Sequence, residues 1–269
     1  MEKRKTIYYQ NELEDEFATD HIKARKIDEN YDYDGGMGRK IARHILYGIL
    51  AKPIAFIYLK IVYGHRVVNR KVIKAHLKKK EDKSFFLYGN HTNAGADALI
   101  PSIVCIPKNV SVIVHPNNVS MPIFGHITPC LGALPLPDDK KAMINFMKSL
   151  ERRVVDIKDC ITIYPEAHIW PFYTHIRPFT DKSFGYPVKY KTPVFCFTNT
   201  YQKRFFFGGT RMVTYVDGPF YPEENIPVVA SRKNLRDKVY DAMVKRSANN
   251  TVEKIHYIKK IEDITINDR

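Results

Sequence analysis

The densest run of apolar positions covers residues 41–63, IARHILYGILAKPIAFIYLKIVY. Lys52 splits the run, Pro53 follows it, and Lys60 interrupts it again. The uncharged pieces fall well short of the ~20 residues that a spanning helix needs. Proline removes a rung of the helical hydrogen-bond ladder, so the pattern predicts two short helices hinged at Pro53, an apolar hairpin over 39–64. Its tyrosines, phenylalanine and lysines suit a bilayer interface, and packing on the protein's own core would show the same periodicity. From residue 84 onward, short apolar runs alternate with amphipathic ones. Ser84–Tyr88, Val110–Val114, Leu134–Leu136, Ile161–Tyr164, Val194–Thr198, Phe205–Phe207 and Met212–Val216 read as strands. Residues 97–106, 139–155 and 231–246 read as helices. Such alternation predicts an α/β domain with a mixed, largely buried sheet flanked by helices, over 65–249.

The flanks differ in character. Residues 1–38 are polar and rich in Asp, Glu and Tyr, which predicts a mobile or loosely docked arm; 250–269 read as a polar tail that frays. Residues 70–83 hold seven basic and two acidic side chains, which fits a solvated face or contact with anionic headgroups. The whole chain carries 43 Lys+Arg against 29 Asp+Glu, a formal charge of +14, so an anionic partner is expected. No helix-turn-helix, zinc-finger or RNA-recognition signature accompanies that charge, so nucleic acid is not the expected partner. The four cysteines are isolated, without a Cys-x-x-Cys pair, and the N-terminus has no apolar export core; both point to a reducing compartment.

Chemistry concentrates after the first strand of the domain. Ser84–Tyr88 runs into Gly89-Asn90-His91, and Asp97 follows at an expected helix start. Loops after strands carry catalytic groups in α/β sheets. A histidine oriented by a carboxylate is the base half of a catalytic triad, and Gly95 gives the chain freedom to fold the carboxylate back.

Three further blocks follow in order. They are Gly132-Ala-Leu-Pro-Leu-Pro-Asp138-Asp139-Lys140; Tyr164-Pro165-Glu166-Ala167 with Phe179-Thr-Asp-Lys-Ser183-Phe184 after it; and Thr192-Pro193-Val194-Phe195. With Asn90-His91-Thr-Asn-Ala-Gly-Ala-Asp97 at their head, this series resembles the glycerolipid acyltransferase family of the lysophosphatidate type over about residues 84–200. The resemblance implies transfer of a fatty acyl group from an acyl thioester, on coenzyme A or acyl carrier protein, to a lysolipid hydroxyl in phospholipid synthesis. No metal or bound cofactor is required. His91 would be the general base and Asp97 its orienting partner, with backbone amides near 91–97 as oxyanion donors. Asn90 and Glu166 would help position the acceptor.

The chain departs from the family in three places. The position of the basic residue in the second block falls on Asp138, with Lys140 and Lys141 just beyond. Five residues rather than four separate His91 from Asp97, and Ile169 stands where the family carries an arginine. Lys140, Lys141, Arg177 and Lys182 are the cations that could hold an acceptor phosphate in its place. A non-phosphate acceptor such as a lyso-aminolipid stays open, as does a non-catalytic lipid- or nucleic-acid-binding protein. The expected location is peripheral or monotopic, on the cytoplasmic face of an anionic membrane.

Overall fold

The computed structural model describes residues 4–17, 23–78, 84–122, 124–204 and 208–260. The expected strand Phe205–Phe207 and the end of the basic run, 79–83, lie outside them. The strands are β1 (Lys5–Tyr9), β2 (Arg66–Val68), β3 (Phe85–Gly89), β4 (Val110–Val114), β5 (Ala133–Pro135), β6 (Cys160–Ile163), β7 (Val194–Lys203), β8 (Thr210–Phe220) and β9 (Ile255–Lys259). A seven-stranded sheet has the order β2-β8-β7-β3-β6-β4-β5. Only β7 and β8 pair antiparallel; every other neighbouring pair is parallel. This is the mixed α/β sheet that the alternating pattern predicts.

A parallel sheet covered on both faces needs continuous apolar strands, and every residue of β3 is buried. Side chains alternate between the faces. Phe86 and Tyr88 pack with Ile161 and Ile163 under Phe146 and Leu150 of the helix Lys140–Val155 and Leu235 and Val239 of the helix Val228–Ser247. Phe85 and Leu87 pack on the other face with Phe195, Phe197, Ile73 and Ile100. Asp139 caps the helix Lys140–Val155, its side chain accepting the Ala142 N–H at 2.8 Å. The expected helix over 97–106 is two short ones, Ala94–Asp97 and Ile100–Val104.

The apolar run is not a hairpin. Met37–Tyr63 is one continuous helix of 27 residues. Residues Arg43–Ala51 take a π-helical register, and the Lys52 N–H reaches back five residues to the Tyr47 carbonyl. In an α-helix the Pro53 ring would collide with the carbonyl four residues earlier; the widened turn removes that collision. Pro53 then sits in the first turn of the segment that follows, where its missing N–H costs little. By length and composition this helix is apolar enough to associate with a membrane. Tyr47, Ala55 and Leu59 bury one stripe against the sheet, while Ile41, Ile45, Ile49, Ile54, Ile57 and Ile61 face outward. Polar anchors hold it along its length: Arg43 pairs with Asp159 at 2.8 Å, Lys52 donates to the Lys108 carbonyl at 3.1 Å, and Tyr63 donates to Asn93 at 3.1 Å.

The described parts of both flanks are docked rather than loose, and the end of the expected polar tail, 261–269, lies outside the described residues. β1 pairs in parallel with β9, tying the N-terminal arm to the start of the C-terminal tail. Ile27 and Tyr33 are buried in the main core, and the Ile27 N–H donates to Asp138 at 2.9 Å. Tyr9 and Phe17 pack on Trp170, whose indole donates to the Asp15 carbonyl at 2.7 Å. The arm's aromatic anchors are spread irregularly among acids, so no periodicity betrays them.

Candidate active site

β3 delivers Gly89, Asn90 and His91 to the carboxyl edge of the sheet. Gly89 is required there, since a Cβ would lie 2.1 Å from the Phe197 ring. The extra spacer residue is absorbed by helix formation. Asn93 becomes an N-cap, its side chain accepting the Ala96 N–H at 3.1 Å, and 94–97 turn helically. That turn brings the Asp97 carboxylate back onto the ring: His91 Nδ1 lies 2.8 Å from Asp97 Oδ2.

A carboxylate only accepts, so Nδ1 carries the proton and Nε2 is left as the free base. Oδ2 also accepts the N–H groups of Thr92 at 2.9 Å and Asn93 at 2.8 Å. Oδ1 accepts from Asn199 Nδ2 at 3.2 Å. Asp97 is thus buried with both carboxylate oxygens hydrogen-bonded, which holds it in place beside the ring. The His91 side chain stays 19% exposed. Its ring stacks on Tyr164, with centroids 4.4 Å apart.

Glu166 is 4% exposed and does not face solvent. Its Oε2 accepts the His91 backbone N–H at 3.0 Å and its Oε1 the Arg177 N–H at 3.1 Å. Burial raises its carboxyl above the ordinary carboxylate value, while the Arg177 guanidinium and the His91 amide pull it back. Glu166 therefore holds the dyad loop, where the resemblance implied contact with an acceptor. Asn90 is likewise structural: its side chain exchanges two hydrogen bonds with the Asn199 backbone, at 3.1 and 2.8 Å, and so ties the end of β3 to β7.

Arg177 is 1% exposed and is not a phosphate contact on an open face. Its guanidinium donates to the carbonyls of Glu166 and Glu12, both at 3.1 Å, and to that of His168, and it lies over Trp170. Lys140, Lys141 and Lys182 are exposed. The first two follow β5 and share a groove with Lys26 and Glu29, three strand spacings, about 14 Å, from β3 along the same edge. Lys182 opens a short turn near Tyr88, whose hydroxyl donates to the Ser183 carbonyl at 3.0 Å. These lysines ring the edge and are not brought to the dyad.

The loop amides do not stand free as oxyanion donors. Those of His91, Thr92, Asn93, Ala96 and Asp97 are all committed to acceptors within the protein, which leaves the exposed Ala94–Gly95 stretch facing solvent. Asn199 and Tyr201 carry no local sequence signal for a role here, and Tyr164 opens the third block without a role of its own being read from it. Asn199 holds Asp97, Tyr164 supports the imidazole, and the Tyr201 hydroxyl bonds that of Thr92 at 2.9 Å.

No protein-family profile matches the chain, and no curated protein matches it. Among solved structures it is similar to the 1-acyl-sn-glycerophosphate (LPA) acyltransferase PlsC from Thermotoga maritima, with a TM-score of 0.52 and 16% identity, covering 82% of this chain and 87% of that one. The chain therefore has the fold of that protein.

Proposed function

We propose that the chain is a membrane-surface acyltransferase that moves a fatty acyl group from an acyl thioester to a hydroxyl of a lysolipid. The observation that carries this reading is the His91–Asp97 pair at 2.8 Å, on the strand-to-helix loop of a PlsC-type fold. His91 Nε2 takes the proton of the acceptor hydroxyl as its oxygen attacks the thioester carbonyl. The C–O bond forms, the tetrahedral oxyanion collapses and the C–S bond breaks, and the leaving thiolate takes the proton back from the His91 imidazolium and departs as the thiol. Asp97 holds the ring and stabilises the imidazolium that forms. Three of the four cysteines, Cys105, Cys160 and Cys196, are buried, and burial raises the Cys160 and Cys196 thiols, which is the opposite of an activated nucleophile. Acyl-coenzyme A and acyl carrier protein both fit as donor. The deciding assay offers purified protein a labelled acyl thioester in each form with a panel of lysolipids. Absence of any diacylated product would overturn the reading.

The acceptor reading kept first is a phosphate-bearing lysolipid, with Lys140, Lys141 and Lys182 the exposed cations along that edge of the sheet that its headgroup could meet, although none adjoins the dyad. With those three changed together to alanine, acceptor KM should rise about tenfold or more, the scale of one lost charged hydrogen bond. An unchanged KM would favour a non-phosphate acceptor such as a lyso-aminolipid. That second reading draws on Ile169 standing in the third block and on the burial of Arg177.

The helix Met37–Tyr63 lies against the domain and turns its isoleucine stripe outward, as a helix lying in one leaflet would, with the basic run from Arg70 supplying headgroup contacts. Each cation near such a surface contributes about 1 kcal/mol. The protein should therefore float with anionic vesicles and be released in part by high salt. Resistance to both salt and alkaline carbonate would mean a spanning helix instead.

A further inference from the structure

The helix Met37–Tyr63 ends at Gly64, in the left-handed region at φ 55°, and the chain then turns His65 inward, where it is buried. Its Nε2 lies 2.7 Å from Thr214 Oγ1. Thr214 faces Asn199 across the antiparallel β7/β8 pair and donates to Asn199 Oδ1 at 2.7 Å. Asn199 Nδ2 donates in turn to Asp97 Oδ1 at 3.2 Å. His65, Thr214, Asn199 and Asp97 are each 6% exposed or less.

The chain admits one sense of donation. A carboxylate only accepts, so Asn199 must present its NH₂ to Asp97 and its oxygen to Thr214. Thr214 must then donate to that oxygen, and its lone pair takes the N–H of His65 Nε2. Burial, with Lys60 nearby, lowers His65 to about 4, so the ring is neutral and this tautomer is the one present at pH 7. Three hydrogen bonds aligned in one direction polarise one another toward the carboxylate. They also cross the sheet sideways, from the element before β2, over β8 and β7, to the loop after β3.

We propose that His65, Thr214 and Asn199 are positioning residues that hold the Asp97 carboxylate in the orientation its bond to His91 requires. The role rests on the acyltransferase reading. It also makes the end of the apolar helix part of the site's support.

The test compares Thr214→Val, which keeps shape and deletes the hydroxyl, with Thr214→Ser, which restores it. The first readout needs no substrate: the imidazole Nδ1–H proton resonance of His91, followed by NMR in protein carrying labelled histidine. Thr214→Val should displace or broaden it, and Thr214→Ser should return it toward the wild-type position. The second readout is acyl transfer. Thr214→Val should lower kcat on the order of tenfold with both KM values within about twofold, and Thr214→Ser should recover most of that loss. If Thr214→Val does not fold, His65→Leu and His65→Gln pose the same question, since only Gln keeps a donor. An unmoved His91 resonance in folded Thr214→Val, or a loss appearing in KM alone, overturns the proposal. A moved resonance in a protein without transfer activity supports the relay and counts against the acyltransferase reading alone.

Discussion

His91→Ala is expected to lower kcat by about 10²–10⁴-fold, the contribution of a positioned general base, while the protein keeps its unfolding transition and its vesicle binding. The imidazole is partly exposed and packs over Tyr164 rather than in the main core, so its removal leaves little cavity. Asp97→Asn should also cost rate, for a reason specific to this loop. The Thr92 and Asn93 amides and the His91 ring all donate to Oδ2, so an asparagine must place its carbonyl oxygen there. The tautomer of His91 survives, and what is lost is the negative charge that stabilises the imidazolium. The new NH₂ then faces Asn199 Nδ2, donor against donor. The double variant should be little slower than His91→Ala alone, because the pair acts as one unit. Stopped-flow or radiolabel kinetics on folded protein check all three. A near-normal rate in His91→Ala would overturn the assignment of the base.

The dyad was legible because both partners lie on one loop, six residues apart, where local pattern can see them. Six of the seven strands of the central sheet, β3 to β8, and the helix Lys140–Val155 were legible for a similar reason, since apolar periodicity reports burial directly, whereas the order of the strands was not. The continuity of the apolar helix through Pro53 is not legible, because the rule that proline breaks a helix assumes α register, and the chain escapes it by widening one stretch. Asn90 and Glu166 are visible in the sequence by position, but their contacts are not. Their side chains turn back to Asn199 and to the His91 amide, partners 109 and 75 residues away. His65, Thr214 and Asn199 left no mark, since the separations that join them, 149, 15 and 102 residues, exist only in the folded sheet.

The same distance from local pattern applies to Arg177, and the variant Arg177→Met should be among the most destabilising single changes in the protein. The guanidinium is buried against Glu166, with Nη2 and Oε2 3.6 Å apart, and it bridges the N-terminal arm through the Glu12 carbonyl to the turn 164–170. Removing one partner of a buried pair typically costs about 3–5 kcal/mol, because the other charge is left uncompensated. For a chain of this size that corresponds to a fall in melting temperature of about 10 °C. The loss should depend on pH with a definite sign. Burial already raises the Glu166 carboxyl, and without the guanidinium that opposes it the value rises further. A group raised in the folded state has its stabilisation fully present below its unfolded value and loses it as pH climbs through the folded value. The deficit of Arg177→Met against wild type should therefore be smaller near pH 4 than at pH 7, read as the difference in melting temperature across that range. Glu166→Gln combined with Arg177→Met should recover much of the stability by removing the stranded charge. It should not recover the rate in full, since the His91 amide then rests on a neutral acceptor. A deficit equal at both pH values would show that Arg177 acts through its packing on Trp170 and its carbonyl contacts rather than through the charge of Glu166.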